Sequence, residues 1–143
     1  MNIRLMKAEE YDRVYQLWTS TSGMGMRSLD DSYEGIHRFL LRNPNTSFVA
    51  EEGDAIIGVV LCGHDGRRGY LYHMAVDEKH RRRGIGEKLL DAALGALKAE
   101  GIHKAALVVF STNEIGNSFW ESVGFKSRND LVYRDKSLND NNT

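Results

Sequence analysis

The stretch from Tyr70 to Leu90, YLYHMAVDEKHRRRGIGEKLL, orders its residue types in a way that builds an anion site. An apolar strand ends in Asp77, passes five consecutive basic residues at Lys79–Arg83, and turns at Gly84-Ile85-Gly86 into a helix. Glycine permits a sharp turn and a close backbone approach to a ligand. The free N–H groups and positive end of the new helix then face whatever lies above the strand, which favours a phosphate. Three arginines in a row cannot all meet one ligand. One or two of Arg81, Arg82 and Arg83 are expected at phosphate, the others in water.

The strand also carries groups that could move protons. Period-two alternation sets Tyr70 and Tyr72 on one face and His73 on the other. A tyrosine with an ordinary pKa near ~10 is a poor base at neutral pH, so Tyr72 is expected to act through a water relay. An imidazole titrates in the right range, but alternation turns His73 away from the tyrosines. Glu51 and Asp65 are further candidate bases, with strand-end solvation and turn chemistry as their competing readings. Cys62, the single cysteine, has apolar neighbours and is expected to be a buried structural thiol.

The elements that must position these residues follow from periodicity. Ile3 and Leu5 alternate with polar neighbours as a first strand. Tyr11, Val14, Tyr15 and Trp18 fall at helical spacing, and a second helix is predicted over 30–42 with Tyr33, Ile36, Phe39 and Leu40 inward. Strands at Ser47–Glu51 and Ala55–His64 join through Glu52-Gly53-Asp54, and Asp65–Gly69 turns into the strand Tyr70–Val76. A helix over 84–100 precedes an apolar strand at Ala105–Phe110, a short helix from Asn113 to Ser122, and strands after Phe125. The order β-α-α-β-β-β-α-β-α-β gives an α/β mixed sheet with helices on its faces, in one domain over 1–138 with a frayed polar tail at 139–143.

Composition narrows the class. The 143 residues suffice for one buried core, and 41% apolar with 27% charged residues is a globular balance. A net charge of −1 makes the basic run local and argues against a nucleic-acid partner. No segment approaches bilayer-spanning length and the N-terminus lacks a secretory apolar region, so no membrane partner and a cytoplasmic location are expected. The Asn45-Thr46-Ser47 sequon is then a chance match.

Taken together, these motifs resemble the GNAT superfamily of acyl-CoA-dependent N-acyltransferases over nearly the whole chain. The family's Gln/Arg-x-x-Gly-x-Gly/Ala stands here as Arg81-Arg82-Arg83-Gly84-Ile85-Gly86, after the strand Met74-Ala75-Val76-Asp77. A second motif runs from Asn113 to Gly124-Phe125, and the Asp-Gly-x-Arg-Gly turn at 65–69 is similar to the YpeA-like branch of small bacterial members.

The resemblance implies transfer of an acetyl group from acetyl-CoA to a primary amine of a small molecule or peptide, by direct attack and without a metal. A CoA-binding regulatory module is the alternative. It further implies a pyrophosphate cradle from Arg82 through Glu87, including Gly84, Ile85 and Gly86. Main-chain groups of Met74, Ala75 and Val76 would pair with pantetheine, and Asn113 would reach it from the next strand. The Met74 N–H would meet the oxyanion, and Tyr70 and Tyr72 hold the positions from which bases often come. Trp120 stands where many members have a tyrosine acid, so an indole there is expected to pack against pantetheine. The acceptor groove would involve Trp18, Met24, Met26, Arg27 and Tyr33, in a monomer or homodimer.

Deprotonating an amine sets a scale. At neutral pH an α-amine costs roughly 1.4 kcal/mol and a lysine amine about 4.6 kcal/mol, so the absence of a strong base leans toward a low-pKa amine.

Overall fold

The computed structural model describes residues 1–143. Strand β1 (Asn2–Leu5) leads through a short 3-10 turn into helix α1 (Tyr11–Thr19), and helix α2 (Tyr33–Arg42) follows. Strands β2 (Phe48–Glu52), β3 (Ala55–His64) and β4 (Gly69–Val76) form antiparallel hairpins. Helix α3 (Ile85–Ala99), strand β5 (Ala105–Ala106) and helix α4 (Glu114–Ser122) complete the order. The five strands lie side by side in chain order, with β5 parallel to β4.

Each sheet face carries a helical layer because β3 alternates. Val60 and Cys62 pack toward Ile85, Leu89, Leu90, Ala93 and Leu97 of α3, while Val59 and Leu61 pack toward Val14, Leu17 and Trp18 of α1. Each fully buried leucine or valine contributes about 1.5–3 kcal/mol by leaving water. Gly58 lets α3 lie close, since a Cβ there would sit 3.0 Å from Leu89. Helix α2 starts later than expected because the Ser32 hydroxyl accepts the Gly35 N–H at 3.1 Å and caps it. Ile36 and Leu40 are its buried residues, and Tyr33 faces outward.

Two strand expectations change. Of Ala105–Phe110 only Ala105 and Ala106 pair, opposite Gly69 and Tyr70. Beyond that point β4 and the chain at 107–110 diverge, just before a bulge in β4, and bulges bend the strand that holds them. The strands expected after Phe125 are absent, leaving the element order one strand short. Leu131, Val132 and Tyr133 are consecutive and all exposed, which gives no apolar face for a one-sided strand. The polar tail lies against the α1–α2 connection, where the Asn142 side chain accepts the Leu29 and Asp30 N–H groups at 3.0 and 3.1 Å.

Candidate active site

Between β4 and α3 the chain makes the tight turn that the glycines predict. Gly84 (φ +74°) and Arg82 (φ +65°) both adopt left-handed backbone, so the chain enters α3 through a tight turn. No main-chain N–H from Arg82 through Glu87 has a protein acceptor, and the first helical bond runs from Lys88 to the Gly84 carbonyl at 3.1 Å. A row of free donors at a helix N-terminus suits a dianion. A Cβ on Gly84 would meet nothing within 4 Å, so the space above the turn is open, and its left-handed backbone angle favours glycine. Gly86 is small for another reason: its Cβ would lie 3.3 Å from the Phe119 ring of α4.

The three arginines separate. Arg81 donates its Nε–H to the Val76 carbonyl at 3.3 Å, and Arg82 lines the cleft above the turn. Arg83 faces the other way and forms a two-point pair with Glu52 at 2.8 and 3.2 Å, which holds the Glu52 carboxyl below its ordinary range. Of the triplet, Arg83 is therefore the residue that does not meet the cleft. His80 adds a second tie, with Nδ1 2.7 Å from Asp77 and Nε2 3.2 Å from Glu52.

Divergence of β4 from the following chain opens a cleft of about 2000 Å³, lined by Met74, Ala75 and Val76 on one side and Leu107–Phe110 on the other. From Leu71 onward the β5-side edge of β4 has no strand partner, so main-chain groups there are available to an extended ligand. Asn113 borders the cleft, but its Oδ1 accepts the Gly116 N–H at 2.9 Å and so caps α4. Trp120 is wedged edge-on between Phe119 and Phe125, at 5.0 and 5.2 Å, and packs on the α3-side core while reaching the cleft.

On the α1–α2 face of the sheet the structure corrects the reading of β4. His73 has φ +49°, and the β3–β4 register shifts between Val59 and Leu61. Leu71, Met74 and Val76 pack on the α3 side, and Ala75 packs on the α1–α2 side. The extra residue brings His73 to the α1–α2 side along with Tyr72, its ring 5.1 Å from Trp18 and 6.5 Å from Tyr72. The three-residue step from Leu71 to Met74 is the sequence signal of this bulge, and strict alternation overlooked it.

The bulge is held at several points. Trp18 donates its indole N–H to the His73 carbonyl at 2.9 Å. The His73 Nε2 lies 2.8 Å from Asp31 Oδ1, and Asp31 Oδ2 accepts the Arg27 N–H at 2.7 Å. Asp31 is buried, and Tyr11 donates its hydroxyl to the Asp31 carbonyl. Sequence reasoning passed over Asp31, which sits 42 residues from its partner.

Tyr70 and Tyr72 stack at 5.5 Å, and Tyr72 meets Phe39 edge-on at 5.9 Å. Burial, with Tyr70 beside it, pushes the Tyr72 phenol above its ordinary value, which makes it a still weaker base. Trp18 is fully buried and belongs to the core. Met24 and Arg27 line the cleft, whereas Met26 packs against the α1–α2 core beside it. Tyr33 lies on the outer face, 5.7 Å from both Tyr11 and His37. Glu51 is bound by Arg4, and Asp65 accepts the Arg67 and Arg68 N–H groups of its own turn, so neither is a free base.

Comparison with known proteins places this geometry among relatives. The model of the Acetyltransferase (GNAT) family matches residues 11–125. An acetyltransferase of Sodalis glossinidius (strain morsitans) is 28% identical over 138 residues, covering 96% of each chain. PaiA N-acetyltransferase from Thermoplasma acidophilum, solved with coenzyme A, superposes with a TM-score of 0.76 at 21% identity, covering 89% of this chain and 90% of its own. A predicted acetyltransferase from Clostridium acetobutylicum, solved with acetyl-CoA, gives 0.71 at 19% identity, covering 94% and 95%. No helix of this chain is long and apolar enough to cross a membrane.

Proposed function

The chain belongs to the GNAT acetyltransferase family, and from that premise we propose that it transfers an acetyl group from acetyl-CoA to a primary amine by direct attack in a ternary complex. The observation that carries this reading is the run of unpartnered N–H groups from Arg82 through Glu87, open to a cleft with an unpaired strand edge. Those donors, with Arg82 and Arg81, suit a pyrophosphate. The β4 edge at Met74, Ala75 and Val76 suits the amide-bearing arm of pantetheine. Relatives of the same fold are solved with coenzyme A or acetyl-CoA, which supports the assignment.

In this reading the Met74 N–H donates to the developing oxyanion. Asn113 and Trp120 shape the wall along pantetheine, and Trp120 supplies packing where a hydroxyl would supply a proton. A thiol with pKa about 8.5 leaves as thiolate without that help. Met24 and Arg27 border the acceptor side, and the acceptor is a small molecule or peptide amine. The domain over 1–138 works in the cytoplasm as a monomer or homodimer, with no nucleic-acid partner.

A second reading, a CoA-binding module without efficient chemistry, is favoured by one observation, the wedging of Trp120 between Phe119 and Phe125. Thiol release from acetyl-CoA, assayed with ethylamine, spermidine, an aminoglycoside and an N-terminal alanyl peptide, separates the two. Acetylated amine in step with free thiol is expected. CoA binding with no acetylated product from any amine would leave only the module.

A further inference from the structure

We propose that His73 is the general base of the reaction and that Asp31 is its positioning residue. The inference rests on the acetyl-transfer reading above. Four observations meet at one place. A non-glycine residue holds left-handed backbone in the middle of a strand, a conformation that persists only where surroundings impose it. The surroundings here are specific, since the Trp18 indole N–H holds the carbonyl of that residue. The resulting bulge turns the imidazole to the α1–α2 side of the cleft, beside Trp18 and next in sequence to Met74. There a buried carboxylate, itself fixed by the Arg27 N–H, takes one ring nitrogen and leaves Nδ1 without a protein partner.

That arrangement is a base held by an orienting group. The titratable groups facing His73 are Asp31 from the α1–α2 connection and Tyr72 from its own strand; α1 contributes the uncharged Trp18. Asp31 fixes the tautomer with the proton on Nε2, so that Nδ1 is the free lone pair, and it stabilises the imidazolium that forms. Nδ1 takes a proton from the bound ammonium, directly or through one water. The nitrogen lone pair forms the C–N bond to the thioester carbon, with the oxyanion at the Met74 N–H. The C–S bond then breaks with its electron pair on sulfur. The amide nitrogen loses its second proton to water, and the imidazolium returns its proton to the thiolate, restoring the neutral ring.

The test is the pH dependence of kcat/KM for the fastest amine of the four above, with CoA affinity measured calorimetrically on the same samples. For wild type the profile should level off well below the amine's own pKa. His73→Gln should lower kcat/KM about 100-fold at neutral pH. Its profile should keep climbing tenfold per pH unit, because only amine already neutral in solution then reacts, while CoA affinity is unchanged. Asp31→Asn should lower kcat, and Asp31→Glu should recover part of the loss. A folded His73→Gln variant with the wild-type profile, or with the same shape at a lower level, would overturn the assignment. So would a wild-type profile that climbs without levelling, which needs no variant to fold. Wild type inactive with all four amines would overturn the acetyl-transfer reading itself, and this inference with it.

Discussion

Tyr72 and Cys62 show how burial changes what a side chain can do. Partial burial raises the Tyr72 phenol, so its hydroxyl keeps its proton where the ring lines the cleft and is available as a hydrogen-bond donor. Tyr72→Phe should therefore reduce kcat several-fold, leave CoA affinity unchanged, and preserve the shape of the pH profile. Wild-type turnover in that variant would remove Tyr72 from the chemistry. Cys62 is fully buried, and burial pushes its thiol up to about 12. A thiol of that kind is almost entirely protonated at neutral pH and is a poor nucleophile. Alkylation by iodoacetamide should proceed only at the rate of unfolding, and rapid labelling of native protein would contradict the packing around β3.

At the scale of elements, Arg4 of β1 ties the entry of α1 to β2. Its guanidinium bonds Glu10, which is buried, and Glu51 at 2.9 Å. Burial raises the Glu10 carboxyl, but the bonds from Arg4 and the Lys7 N–H outweigh it and leave the group below its ordinary value; Arg4 also lowers Glu51. A carboxyl with a depressed folded pKa contributes stability that is complete above its unfolded pKa and is lost as pH falls through the folded one. Arg4→Met should cost about 2–3 kcal/mol near neutral pH by stranding Glu10, less than a fully enclosed pair because Arg4 is partly solvated. Urea denaturation at about pH 7 and about pH 3 checks this, since the difference from wild type should shrink at the lower pH. A difference independent of pH would mean that Arg4 acts by packing alone. The elements themselves were readable where local chemistry decides them. Gly84 and the apolar spacing of α3 announced that helix, and Asn113 announced α4, because caps and amphipathic faces are written within a few residues. The bulge in β4 was not, because its cause lies in Trp18 and Asp31, far along the chain.

On the scale of the molecule, the sheet parts at β4 and β5 and leaves a wedge between two helical layers, with the α3 N-terminus on one flank and His73 on the other. The turn into α3 on one side of this wedge could be read from contiguous residues 74–87. The His73 side could not, because Trp18 and Asp31, which hold that residue, come from separated segments of the chain. The Trp18 assignment to the groove failed for the same reason: periodicity marks a residue as inward without saying whether inward means core or cleft. The one-sided pairing of β4 also escaped, since an apolar run such as Ala105–Phe110 reads as a strand whether or not a neighbour accepts it. The central claim, that the turn into α3 holds the phosphates of acetyl-CoA, is tested most directly by calorimetric titration of acetyl-CoA into wild type and Gly84→Asp. Nothing in the protein lies within 4 Å of a Cβ at Gly84, so the variant should fold, with only the modest penalty of a left-handed non-glycine residue. The account predicts binding to wild type and none to a folded Gly84→Asp protein, because a carboxylate would then point into the phosphate site. Equal affinity in the two, or no binding to wild type, would contradict it.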